Sequence, residues 1–172
     1  MRRTMLFLPG NNPNMIMNGE YLGADSIILD LEDAVAPDDK DAARILVRNA
    51  LTYMSFGKRE VIVRINALDT PYWQEDLEAI ISLQPDVIMP TKVSGGDYIR
   101  ALDAKMTEIE SKHGLPVGNI RIIPLLETTL GIENAYEIAT ASPRMEALYL
   151  GAEDLSADLR CPRTKAGNEI AY

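Results

Sequence analysis

The stretch IILDLED, residues 27–33, carries a short apolar run straight into a cluster of acids, and its layout recurs along the chain. LFLPGNN (6–12), VIVRIN (61–66), VIMPTK (87–92), IIPLLE (122–127) and LYLGAED (148–154) share it. Each apolar run reads as a strand covered on both faces, because Ile, Val and Leu follow one another with little polar alternation until the end. Parallel α/β folds gather the C-terminal ends of their strands on one face, where ligands bind. Arg64, Lys92, Glu127 and Asp154 are far apart in sequence, yet this geometry brings them to one rim.

Working outward, the pattern predicts strands over 4–8, 26–31, 60–65, 86–90, 120–126 and 147–151, with helices between them. Asn12-Pro13 opens a helix as N-cap and first-turn proline and runs toward Leu22-Gly23. A long helix over 38–56 presents Ala43, Leu46, Val47, Ala50 and Leu51 on one face, with Gly57 as its stop. Further helices are expected from Thr70-Pro71 to Leu83, over 97–112, from Gly131 to Ala141, and from Thr164 onward. Strand-helix alternation fits an open doubly wound sheet or a (β/α)8 TIM barrel. The barrel is favoured because candidate groups come from nearly every strand end rather than from one crevice. A barrel typically needs about 250 residues, so 172 residues are expected to form a single TIM-barrel domain, residues 1–172, truncated at the C-terminus at about six of eight β/α units.

Composition narrows the function classes. The net charge is -9, from 17 basic and 26 acidic residues, with no basic stripe. That argues against a nucleic-acid partner or an anionic membrane surface. The single cysteine, Cys161, cannot form an internal disulfide and fits a cytoplasmic location. No apolar stretch reaches the roughly 18–20 residues of a membrane span. The run after Arg2-Arg3 breaks at Pro9-Gly10, short of a signal-peptide core, so the mature chain is expected to start near Met1.

The strand ends hold the candidate chemistry. If Glu127 and Asp154 both point into the barrel mouth, two hard carboxylates flank one position suited to Mg²⁺. Alternatively each stabilises a helix start. Strand parity places Asp154 with Leu150 and Ala152 and turns Glu153 away. Arg64, in an apolar strand, needs either a bound anion or an ion pair with Asp30 or Glu32. Asp30, Glu32 and Asp33 can support a metal's water shell, and one of them can act as an acid or base. Lys92 can form a Schiff base if desolvated, although the surrounding carboxylates favour its ammonium form. Backbone N–H groups at the LFLPGNNP turn and at Gly151-Ala152 offer a seat for an anion. His113, Trp73 and Cys161 read as a helix-end partner, a packing residue and an incidental thiol.

Five ordered motifs, LFLPGNNPNM, GADSIILDLEDAVAPDDK, VIVRINALDTPYWQEDL, PLLETTLGIENAYEIA and LGAEDLSADL, cover essentially the whole chain. Together they resemble the citrate lyase β-subunit group of the HpcH/HpaI aldolase superfamily, which also contains malyl-CoA lyases. The resemblance implies a trimeric or hexameric (β/α)8 barrel that uses Mg²⁺. Carried over by position, Glu127 and Asp154 match the metal ligands and Arg64 matches the arginine that holds the substrate oxygens. Gly151 and Ala152 match the seat of the keto-acid carboxylate, with Glu32 and Asp33 supporting the metal's water shell and Lys92 beside them. The LFLPG turn matches part of the surface for a coenzyme A-type thioester arm. The implied reaction is reversible cleavage of a 3-hydroxy acyl thioester, on CoA or an acyl carrier, into a keto acid and an acetyl thioester. Acyl-carrier and transferase subunits are implied partners. In related lyases an aspartate from the C-terminal region, often of a neighbouring subunit, lies over the site. A metal-dependent pyruvate-type aldolase and a non-catalytic subunit or fragment are the rival readings.

Overall fold

The computed structural model describes residues 2–170. Its first five strands are β1 (Met5–Pro9), β2 (Ser26–Asp30), β3 (Glu60–Ile65), β4 (Val87–Pro90) and β5 (Arg121–Ile122), and all are parallel in the order β1-β2-β3-β4-β5. A second parallel pair follows, β6 (Leu125–Leu126) and β7 (Tyr149–Leu150). Each strand lies beside the next in sequence, without the reversal that marks a doubly wound sheet. This is the wall of a (β/α) barrel.

The strand expected over 120–126 is broken into β5 and β6 at Ile123-Pro124, because proline has no N–H to give to a ladder. The line nevertheless continues through the break. Ile123 donates to Ile88 O, Tyr149 donates to Pro124 O, and Gly151 donates to Leu126 O. An isolated parallel bridge between Ile122 and Met145 ties β5 to the segment before β7.

Alternation along the strands divides the core in two. Ile28, Ile62, Val87, Met89, Ile123 and Leu125 form the interior cluster, with Met5, Phe7 and Tyr149 packed on it. Leu8, Ile27, Leu29, Val63, Ile65 and Ile88 face outward and pack on helices through Val47, Leu77, Ile80 and Leu102. All five residues of β2 are buried, as a strand covered on both faces requires.

The helices are α1 (Pro13–Asn18), α2 (Lys40–Tyr53), α3 (Trp73–Ile80), α4 (Gly96–Lys112), α5 (Thr129–Glu133), α6 (Ala135–Ala139) and α7 (Ala152–Asp158). Asn12 caps α1 by accepting the Met15 N–H at 3.1 Å, with Pro13 in the first turn. The helix predicted over 131–141 is two short helices, divided at Asn134, whose side chain donates to Ser94 O. Contrary to expectation, among the described residues no α-helix follows Thr164; only a short 3-10 turn occurs there, Asn168–Ile170. That segment is a turn held by Thr164 bonds to Glu169 and closed at Gly167, where φ is +67°. The helix after the last strand begins instead at Ala152, with Glu153 and Asp154 in its first turn, where acids favour initiation. Among the described residues, no helix is long and apolar enough to cross a membrane.

One buried ion cluster escaped the sequence reading. Arg144, 2% exposed, donates to Glu110 at 2.9 and 2.6 Å, to Asp103 at 2.5 Å and to Thr107 at 3.0 Å. It fastens the segment before β7 to α4. Removing one partner of a buried pair strands the other charge and costs about 3–5 kcal/mol. Arg144→Ala is therefore expected to lose about 3–5 kcal/mol of unfolding free energy in a denaturant titration. Replacing Arg144 and Glu110 together by methionine should recover most of that loss. A loss below about 1 kcal/mol for the single variant would show that the cluster is not stabilising.

Candidate active site

The site grows from the C-terminal ends of the strands. Asp30, the last residue of β2, lies in register with Arg64 of β3. Arg64 Nε donates to Asp30 Oδ1 at 2.7 Å and its Nη2 to Oδ2 at 2.5 Å, a two-pronged contact that matches the guanidinium fork. Nη1 is 3.5 Å from Glu32 Oε2, and the guanidinium carbon stands 4.9 Å from the centre of the Phe7 ring. The choice between ion pair and anion site is thus divided within one side chain. One edge belongs to Asp30, and the rest borders a cavity.

The acidic loop after β2 is rigidly held. Asp30 accepts the N–H groups of Glu32 at 2.8 Å and Ala34 at 3.3 Å. Lys40, buried in α2, donates to Leu31 O at 2.8 Å and Glu32 O at 2.7 Å. Asn66 also donates to Leu31 O, at 3.0 Å, and to Asp76 at 2.7 Å; Asp76 in turn accepts from Arg44 at 3.0 Å. Lys40, Asn66, Asp76 and Arg44 were not singled out from sequence. A signal existed: Lys40 and Asp76 sit on otherwise apolar stripes, beside Ala43, Val47 and Ala50 on α2 and Leu77 and Ile80 on α3.

Lys92 links two of the acids. Its ammonium is 3.0 Å from Glu32 Oε1, and its backbone N–H donates to Glu127 Oε1 at 2.9 Å. Burial draws the Lys92 pKa down, but Glu32, Asp33 and Asp154 outweigh it and hold the group above its usual value. That leaves an ammonium rather than the free amine that Schiff-base chemistry needs.

Glu127 follows β6 and is 3% exposed. Burial pushes its carboxyl up to about 7, with Asp154 and Glu32 adding to the rise and the Lys92 N–H and Arg64 opposing it. Its Oε2 lies beside Gly151, where an added Cβ would come within 2.8 Å of Glu127 Cβ and 2.9 Å of Oε2. Only glycine leaves room there.

Asp154 reaches the same place from the first turn of α7, not from a strand, so strand parity does not explain its position. Glu153 is exposed and pairs with Arg163 at 3.0 Å. A cavity of about 290 Å³ is lined by Phe7, Arg64, Glu127, Tyr149, Gly151 and Asp154, among others, with Asp33 and Ala152 on its wall. An adjoining cavity of about 320 Å³ shares Asp33, Glu127 and Asp154 and adds Lys92. The predicted residues therefore converge. Phe7 and Tyr149, packed edge to face at 6.1 Å, supply an apolar border that the sequence reading had not assigned.

The chemistry of the donor set can be tested against a divalent cation. Glu127 Oε1 takes one N–H, while Oε2 has no hydrogen-bond donor among the described residues. Asp154 lines the same cavity. No group of three or more His, Cys, Asp or Glu poised for a metal occurs among the described residues. Two carboxylates with open space suit Mg²⁺, which keeps several waters or substrate oxygens, better than Zn²⁺, which favours three or four protein ligands.

A barrel wall with an arginine and converging carboxylates at its strand ends defines an α/β-barrel protein with its candidate site at the C-terminal face. The chain belongs to the HpcH/HpaI aldolase/citrate lyase family, which matches residues 3–172. It is 44% identical over 172 residues to the citrate lyase subunit beta of Leuconostoc mesenteroides subsp. cremoris, covering 100% of this chain and 57% of that protein. It is 38% identical over 168 residues to the L-malyl-CoA/beta-methylmalyl-CoA lyase of Cereibacter sphaeroides, covering 96% and 52%. The citrate lyase beta subunit of M. tuberculosis complexed with oxaloacetate and magnesium superposes with a TM-score of 0.74 at 32% identity, over 95% of this chain and 65% of that one. The chain thus spans a little over half the length of the curated relatives it matches.

Glu127 makes stability depend on pH. A carboxyl raised from 4.5 to about 7 on folding binds more protons folded than unfolded between those values. Its stabilisation is full below the lower value and is lost as pH rises through the upper one. Without added metal, Glu127→Gln is therefore expected to gain on the parent by about 2–3 kcal/mol between about pH 4.5 and pH 8. A stability difference that does not change with pH would place the carboxyl in an ordinary environment.

Proposed function

We propose that this chain forms part of a Mg²⁺-dependent carbon–carbon lyase that cleaves a 3-hydroxy acyl thioester into a keto acid and an acetyl thioester. The observation that carries the proposal is the convergence of Glu127, Asp154 and Arg64 on one cavity at the strand ends. The magnesium and oxaloacetate complex of the M. tuberculosis relative supports it, as do the lyase names of the curated relatives.

In this reading Glu127 and Asp154 hold the cation, and Glu127 gives up its proton when the cation arrives. Mg²⁺, when bound, supplies Lewis-acid polarisation of a substrate oxygen. Arg64, pinned by Asp30, presents its remaining N–H groups to the oxygen that becomes the ketone, where preset positive charge favours the developing negative charge. Gly151 and Ala152 leave space for the keto-acid carboxylate. Glu32, Asp33 and Lys92 surround the centre and fix its net charge. The turn after β1, where Gly10 donates to Asp30 O at 2.8 Å, forms part of the rim proposed to receive the thioester arm. A CoA or acyl-carrier thioester as substrate, a trimeric or hexameric assembly with acyl-carrier and transferase subunits, and a cytoplasmic location belong to the same proposal.

Isothermal titration with Mg²⁺ and oxaloacetate or glyoxylate tests the site. Binding of the keto acid is expected to require Mg²⁺ and to vanish in Glu127→Ala. Because the Glu127 proton must leave, Mg²⁺ affinity should rise with pH and level off above about 7. Parent protein that takes up neither ligand at any pH would overturn the assignment. Arg64→Ala is expected to lower kcat by about 10²–10³-fold, as for removal of a donor to a developing oxyanion. Release of acetyl-CoA from a 3-hydroxy acyl-CoA, with no cleavage of free hydroxy-keto acids, identifies a thioester lyase; the reverse pattern identifies an aldolase.

A further inference from the structure

We propose that Tyr98 is a positioning residue for the site, acting through a single peptide unit. This rests on the reading of Glu127 as a cation-holding carboxylate. Thr91 C=O and Lys92 N–H lie in one peptide plane and point in opposite directions within it. Tyr98 Oη donates to Thr91 O at 3.2 Å, and Lys92 N–H donates to Glu127 Oε1 at 2.9 Å. Fixing the carbonyl therefore fixes the direction of the N–H. The hydroxyl has one proton to give and gives it to Thr91, because the same oxygen accepts the Leu68 N–H from the loop after β3. One phenol thus ties the ends of β3 and β4 together and, through Lys92, reaches the residue that follows β6.

Lys92 needs such restraint. Its φ of +53° lies in the left-handed region, which is unfavourable for a residue with a Cβ. A conformation of this kind persists only where the surroundings impose it. Here Tyr98 acts on the carbonyl side and Glu127 on the amide side. Thr91 Oγ1 adds a bond to Ile65 O at 3.3 Å, and the Lys92 ammonium adds its contact with Glu32. Without the hydroxyl, Thr91 O is left free. The peptide can then turn, moving its N–H off Oε1 and releasing the carboxylate from the orientation that sets Oε2 against Gly151.

Tyr98→Phe tests this, because it keeps the ring packed against the helix-side core and deletes only the hydroxyl. In metal-free protein, amide hydrogen exchange at Lys92 is expected to speed up by about tenfold or more, while protection at Leu102 and Met106 of α4 stays as in the parent. In a calorimetric titration with Mg²⁺, Kd is expected to weaken by about tenfold, in the range typical of lost outer-shell partners. Unchanged exchange at Lys92 would overturn the proposal. So would faster exchange with an unchanged Mg²⁺ Kd, or a uniform loss of protection across α4, which would mark a merely structural tyrosine. If the parent protein binds no Mg²⁺, the proposed function fails, and the exchange at Lys92 alone then decides whether Tyr98 sets this peptide.

Discussion

A guanidinium inside a wall of apolar strands has to be neutralised where it stands, and Asp30 neutralises Arg64 across the β2–β3 ladder. The rest of the rim depends on that pairing. It uses one edge of the guanidinium and leaves the rest bordering the cavity, so the arginine is rigid without being used up. It also holds Asp30 where its oxygens can accept the N–H groups of the acidic loop. Glu32 is thereby placed between Arg64 and Lys92. A buried ion pair is weak evidence for stability. Its consequence here is geometric: four charged groups from two strands and two loops keep fixed separations.

The rim concentrates carboxylates, and the local balance of charge decides their protonation. Glu32 has Lys92 and Arg64 as near cations, whereas Glu127 has one backbone N–H and two acidic neighbours. Burial, reinforced by its acidic neighbours, raises Glu127. An added cation at Glu127 would relieve desolvation and like-charge repulsion together.

Much of the architecture was legible because burial on both faces leaves a plain sequence record. Five of the predicted strands came within one or two residues of those observed, since unbroken Ile, Val and Leu runs have few other uses. The break at Pro124 shows where the rule fails: proline ends the ladder locally while neighbouring hydrogen bonds carry the line onward. Strand alternation was applied to Ala152, Glu153 and Asp154 although they open helix α7, so Asp154 reaches the cavity by a different route from the one assumed. Near a strand end, two residues of period 2 and the first turn of a helix look alike. The motif resemblance carries position without needing the element type.

What the sequence could not display is the layer of polar contacts beneath the rim. Lys40, Asn66, Asp76 and Arg44 form one connected network whose effect is to occupy backbone carbonyls at the end of β2. Thr91 does the same at the end of β3, and Tyr98 just past the end of β4. Barrel strands end where their ladder hydrogen bonds run out, so each end leaves carbonyls without partners near the ligand face. Water could serve them, but it would leave the loops free to move and would lower the field in the cavity. Side chains from the surrounding helices serve them here instead, and the charged rim gains fixed geometry from bonds needed in any case. Such residues carry no motif of their own. Their trace is a polar letter on an apolar helical stripe, informative only once it is known which strand end the stripe faces.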